Sequence, residues 1–157
     1  MATQGAMLLT RVGGMICALP IEHVVETMRP LPIEPIGARD DALALVDGLA
    51  MIRGAPVPVI DARRLLGVTA GGATRFVVVR IADRRIALVV DSAIEVQHLD
   101  RDAFARLPPL FESARRAWAS AIGMRDAGLL IVLDAAHVLP DDGWRALDQR
   151  AERSADP

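Results

Sequence analysis

Two aspartates hold the positions in this chain that most suggest chemistry. Asp61 and Asp134 each close a short apolar run. A pair of carboxylates can act as general acid and general base, as in a small β-barrel hydrolase. Each one, however, directly precedes a segment that reads as a single helical turn, residues 62–66 and 135–139. An aspartate there accepts the unpaired backbone N–H groups of the turn, so capping accounts for both. Asp91 reads the same way, as an acceptor for backbone donors at a turn. His23, His98 and His137 lie in unrelated segments without HExxH or paired cysteines, so no metal site is expected. Ser92, Ser113, Ser120 and Ser154 sit outside any nucleophile-elbow pattern. Gly13-Gly14 and Gly71-Gly72 have no phosphate-loop lysine beside them, and the chain has no lysine at all. The single cysteine, Cys17, lies in an apolar run and reads as a buried, inert thiol. No catalytic residue and no cofactor is expected.

Arg53 suggests recognition instead. It stands between Ile52 and Gly54, where a strand should end in a tight turn, and Gly54 supplies the backbone freedom such a turn needs. A guanidinium projecting there can make bidentate bonds to a partner's carboxylate or carbonyls. The competing reading is a local ion pair, for instance with Asp47.

The elements that must position these residues are short strands. The chain has 157 residues, 52% of them hydrophobic, with a net charge of −2; the mean hydropathy is +0.32. That composition suits one compact domain, or two small ones sharing a core, and argues against disorder. The near-neutral charge gives no reason to expect nucleic acid or an anionic membrane, and 3% aromatics leaves no base-stacking platform. No apolar run reaches the length of a membrane helix, and the first nine residues lack the basic start of a signal peptide, so a cytoplasmic protein without membrane insertion is expected. Residues 15–19 follow Gly13-Gly14, and residues 74–81 and 84–90 flank Ala82-Asp83, each reading as part of a hairpin. Residues 55–60 and 129–133 are β-rich. Pro56 and Pro58, without ladder donors, place the first of these at a rim or edge. Residues 101–107 read as a short helix and 142–152 as a terminal one, with 153–157 frayed. Trp118 and Trp144 read as packing anchors, Trp144 securing the terminal helix. Gly71-Gly72 marks the join between two halves.

Those halves repeat each other. Ala18-Leu19-Pro20-Ile21-Glu22-His23-Val24-Val25-Glu26 aligns with Ala87-Leu88-Val89-Val90-Asp91-Ser92-Ala93-Ile94-Glu95, 69 positions on. Gly48-Leu49-Ala50-Met51-Ile52-Arg53-Gly54 aligns with Ala121-Ile122-Gly123-Met124-Arg125-Asp126-Ala127, 73 positions on. This second alignment runs without gaps through Asp61 and Asp134 to Leu66 and Leu139. Two copies of one β-unit are the natural inference.

The same residues carry a family resemblance. Residues 17–27 followed by Leu31-Pro32 resemble the opening of CheW-like proteins, where a strand leads through a valine-x-glutamate step to a proline-bearing loop. The stretch from Gly48 through Arg53-Gly54 to Pro56-Val57-Pro58-Val59-Ile60-Asp61-Ala62-Arg63 is similar to that family's most characteristic segment. Leu88-Val89-Val90-Asp91 with Ile94-Glu95-Val96 resembles its second-half signature. Two departures stand out: Met51 holds a place usually taken by Asn, and the loop 34–46 is slightly long.

The resemblance implies a mainly β fold of two five-stranded barrels related by approximate two-fold symmetry, with a shared seam, short helices and a possible C-terminal helix. One CheW-like domain would span 8–140, its first barrel mainly 8–67 and its second mainly 73–134 with some strand exchange, followed by a helix and tail at 141–157. It further implies a non-enzymatic chemotaxis adaptor between the cytoplasmic tip of a methyl-accepting chemoreceptor and a CheA-like histidine kinase. A CheW-like adaptor of another chemosensory system, such as twitching motility, is the alternative. On the receptor side it points to Val24, Glu26, Arg53 and Gly54. Alternation puts Val24 and Glu26 on one face with Val25 opposite, although Val24 could equally be core. On the kinase side the weaker candidates are Val89, Val96 and Phe111.

Overall fold

Apolar runs broken by two-residue turns fold into hairpins, and the protein is built almost entirely of them. The structure, a computed structural model, describes residues 5–37, 41–68, 72, 74–99, 119–125 and 128–155. In chain order the elements are β1 (Gly5–Val12), β2 (Met15–Pro20), β3 (Val24–Met28), β4 (Val46–Ile52), β5 (Ala55–Asp61), α1 (Ala62–Leu66), β6 (Arg75–Ile81), β7 (Arg84–Val90), β8 (Ser92–Leu99), β9 (Ala119–Arg125), β10 (Gly128–Leu133) and α2 (Asp141–Ala155). Single 3-10 turns lie at Ile21–His23, Asp41–Leu43 and Ala135–His137. The expected segment 101–107, together with Phe111, Trp118 and Gly71, falls outside the described residues. The terminal helix starts one residue earlier than its pattern predicts and runs on to Ala155.

The strands form two five-stranded sheets, ordered β3-β6-β7-β5-β4 and β8-β1-β2-β10-β9. Each sheet takes three strands from one half of the chain and one hairpin from the other, so the strand exchange is a reciprocal swap of β1-β2 for β6-β7. The internal repeat holds down to the register. Ala50 faces Val57 as Gly123 faces Leu130, and the parallel pair Val59–Ala87 has its counterpart in Val132–Ala18. Even the irregularities are duplicated. The register slips at Val25 against β6 and at Ile94 against β1, and again at Asp47 and Ser120.

The core follows from this exchange. One cluster lines the inside of the first sheet, with Ala50, Ile52, Val57, Val59, Phe76, Val78, Ala87 and Val89. Its counterpart in the second sheet includes Met7, Leu9, Ala18, Leu130 and Val132. A third and larger cluster joins the sheets through the opposite faces of the exchanged hairpins, where Leu8, Val12, Cys17 and Leu19 meet Val77, Val79, Ile86 and Leu88. The exchanged hairpins are therefore buried on both faces, which is why their strands read as continuous apolar runs rather than alternating ones. Each fully buried Leu, Ile or Val contributes about 1.5–3 kcal/mol, so the seam makes the two sheets one body.

Of the rim or edge expected for residues 55–60, the edge needs correction: β5 is not an edge strand but lies between β4 and β7. Its prolines are tolerated because the described ladder with β7 takes in only Val59, Ile60 and Asp61, which leaves Pro56 and Pro58 without a partner strand on that side.

Candidate functional site

Arg53 and Gly54 form the two-residue turn between β4 and β5. Both have positive φ, 53° and 80°, the requirement of the tight hairpin turns whose twist matches the strands. Gly54 adopts that geometry freely, whereas an arginine there is strained by roughly 1–2 kcal/mol. The turn thrusts the guanidinium outward, with 70% of the side chain exposed. Its partner is Glu26 on β3 rather than Asp47. Nε and Nη2 of Arg53 donate to the two carboxylate oxygens at 3.2 and 3.0 Å. These hydrogen bonds, with the charge of Glu26, push the guanidinium pKa further up. Asp47 instead takes Arg64, which also reaches the Ala44 carbonyl.

The Arg53–Glu26 pair has a structural consequence, because β3 and β4 are the two edges of their sheet. A second tie joins them: Glu34, just beyond β3, exchanges both backbone hydrogen bonds with Leu49 at 2.8 and 2.9 Å. That approach requires Gly48, where a Cβ would stand 2.2 Å from the Glu34 carbonyl oxygen. The sheet therefore curls enough for the segment beyond β3 to bridge β4, and the receptor-side candidates Glu26, Arg53 and Gly54 come together where the edges approach. Val24 is half-buried against the seam, and the exposed valine is Val25, the extra residue of the register slip.

The kinase-side candidates do not converge in the same way. Val89 is only 5% exposed and belongs to the interior of the first sheet, so it has no surface to offer; its strand is one of those buried on both faces. Val96 stands on β8, an edge strand, and is 54% exposed with Ile94 close by at 41%. Phe111 lies outside the described residues.

The two aspartates are caps, each committed to its own turn. Asp61 accepts the Arg63 backbone N–H at 2.9 Å and Asp134 that of Ala136 at 3.1 Å. Asp61 also takes the Arg63 side chain through Nε at 2.9 Å and Nη2 at 2.7 Å. Burial raises the Asp61 carboxyl, but the hydrogen bonds and charge of Arg63 outweigh it and hold the group below its usual range. Asp91 accepts the Gly13 N–H at 2.8 Å and stands 4.0 Å from Arg63, so this cluster ties α1 to the β1-β2 turn of the other sheet. In the second copy His137 contacts Asp134 at 2.7 Å, in the place of a basic partner. Among the described residues no three His, Cys, Asp or Glu side chains group to hold a metal, and no helix is long and apolar enough to cross a membrane.

Sequence reasoning missed Arg84. At the start of β7 it donates to Asp148 of α2 at 3.2 and 2.9 Å and lies over the Trp144 ring, 4.7 Å from its centroid. Trp144 does secure the helix, as expected of a packing anchor, but the basic residue completing the anchor carried no local signal.

Comparison with known proteins bears on this geometry. The family described as CheW-like domain matches residues 6–143. Among solved structures, the scaffolding protein TtCheW from Thermoanaerobacter tengcongensis superposes with a TM-score of 0.69 at 21% identity, over 88% of this chain and 93% of that one. No curated protein matches the chain.

Proposed function

The chain belongs to the CheW-like domain family, whose members are scaffolding adaptors and not enzymes, and from that premise we propose that it couples chemoreceptors to a CheA-like histidine kinase in the cytoplasm. One domain carries both contacts. The receptor tip binds at the junction of the first sheet's edges, over Glu26, Arg53 and Gly54, with Val24 behind them. The kinase binds at the β8 edge, over Val96. The observation that carries this reading is the Arg53–Glu26 pair, an exposed bidentate fork at the tip of a strained turn. Strain of that kind persists where the surroundings enforce it, and it clusters at functional sites.

Such an adaptor changes kinase activity only by binding the active and inactive assemblies with different free energy. Its individual contacts can be small, because repeated engagement in an array supplies persistence. The test uses the purified receptor cytoplasmic fragment and the kinase regulatory domain. Arg53→Ala is expected to weaken receptor binding about ten-fold and leave kinase binding unchanged. Full receptor affinity in a folded variant would remove Arg53 from the interface.

A further inference from the structure

Met51 is 63% exposed, the highest value among the large hydrophobic residues described. Its place in the β4–β5 hairpin explains why. Side chains alternate along β4, and Ala50 and Ile52 on either side of it are buried in the core of the first sheet. Met51 therefore points outward. Its directly paired residue, Pro56, shares that face and is itself exposed, so it gives the thioether sulfur little cover.

Three other methionines are better protected. Met7 is 1% exposed and lies in the core of the second sheet. Met15 and Met28 are half-buried, Met28 against the core of the first sheet. Exposure governs how fast a thioether is oxidised to the sulfoxide, which turns a flexible apolar side chain into a polar one. The consequence for the fold differs as sharply. A sulfoxide oxygen on Met7 would sit in an apolar core without a donor, which destabilises the fold. On Met51 it would project into solvent and leave the core untouched. An exposed sulfoxide also stays within reach of a reducing enzyme, so the change is reversible.

We propose that Met51 is a reversible oxidation site for hydroperoxides and that its sulfoxide weakens the contact made at the Arg53-Gly54 turn. The sulfur lone pair attacks one peroxide oxygen and the O–O bond breaks. The departing hydroxide takes the proton from the transferred oxygen and leaves as water. Sulfur gives up two electrons, and the peroxide is reduced. The inference rests on the receptor reading above, since Met51–Pro56 is the second rung below that turn. A partner closing over this rung would have to desolvate the new oxygen. Its outward neighbours Leu49, Pro56 and Pro58 have no side-chain donor to compensate, and Arg53 is held by Glu26.

The experiment treats the full chain with hydrogen peroxide and follows each methionine by peptide mass mapping. Met51 is expected to gain one oxygen about ten-fold faster than Met7, with the urea midpoint unchanged. The oxidised chain is then titrated with the receptor cytoplasmic fragment, where an affinity loss of about five-fold or more is expected. Methionine sulfoxide reductase with a thiol reductant should restore it. Met51→Leu should bind equally well before and after peroxide, and Met51→Gln should bind as weakly as the oxidised chain. Oxidation of Met51 no faster than of Met7 overturns the site. Full conversion at Met51 with unchanged receptor affinity overturns the switch and leaves the receptor reading standing. An equal loss in peroxide-treated Met51→Leu assigns the effect to another residue and overturns it too. Absence of receptor binding by the untreated chain overturns both the switch and the reading beneath it.

Discussion

Replacing Asp61 by Asn isolates the charge in the buried cluster that carries this family's Asp-x-Arg step. The side chains of Asp61 and Arg63 are only 11% and 12% exposed. Asn keeps an oxygen for the Arg63 backbone N–H, so the cap survives, but the guanidinium loses its carboxylate. Breaking a buried pair by removing one member costs about 3–5 kcal/mol, because the remaining charge stays desolvated. Asp91 stands 4.0 Å from Arg63 and takes over part of that charge, which lowers the expected loss to about 2–4 kcal/mol. Asp61→Ala also removes the cap and should lose about 1 kcal/mol more. Urea denaturation at pH 7 measures both. The pH dependence supplies a sign. Burial raises the Asp61 carboxyl, but the hydrogen bonds and charge of Arg63 hold it below the usual range. The unfolded value is about 3.9. The pair therefore stabilises the fold fully above that pH, and its contribution fades as pH falls toward the lower folded value. The gap between wild type and Asp61→Asn should narrow in acid. A loss below about 0.5 kcal/mol at pH 7, or a gap that widens on acidification, would refute the reasoning.

Two further outcomes follow from single positions. Ala82 has φ of 54° in the β6–β7 turn, where the first copy has Gly13 at 61°; Ala82→Gly should stabilise the protein by about 0.5–1 kcal/mol. Gly13→Ala should do the opposite and more, since its Cβ would also meet the Val68 side chain at 3.0 Å; urea midpoints of the pair decide. Cys17 is fully buried, and burial pushes its thiol up to about 12. It should resist a thiol reagent in the native state and react at once in denaturant, and rapid native labelling would show that the seam opens.

The duplication was legible because register repeats whatever fixes it. The ungapped match from Gly48 to Leu66 against Ala121 to Leu139 already implied that Ala50 and Gly123 occupy equivalent rungs, and the structure bears this out. The caps at Asp61 and Asp134 were legible for the same reason, since a cap is decided within three residues. What could not be read was long-range. Val89 looks like any exposed strand valine until the swap places its hairpin between two cores. Arg53 offered Asp47 as the near acid, but the curl of the sheet brings Glu26 across 27 residues instead. Arg84 and Asp148, 64 positions apart, belong to elements whose meeting depends on where α2 docks.

The swap also explains how one backbone presents two different edges. Exchanging β1-β2 for β6-β7 buries both hairpins on both faces, so the middle of each sheet has no surface left to vary. Variation is confined to the edges, and there the two copies have separated. Glu26 and Glu95 are equivalent residues on the equivalent edge strands β3 and β8. Glu26 is held by Arg53, while at Arg53's position the second copy has Asp126, and Glu95 accepts a hydrogen bond from Gln97 on its own strand. One edge presents a charged fork. The other presents Ile94 and Val96 without that arginine. A partner selecting between them must read side chains on a shared backbone frame, and the seam transmits strain from one edge to the other only as far as the close-packed hairpins allow.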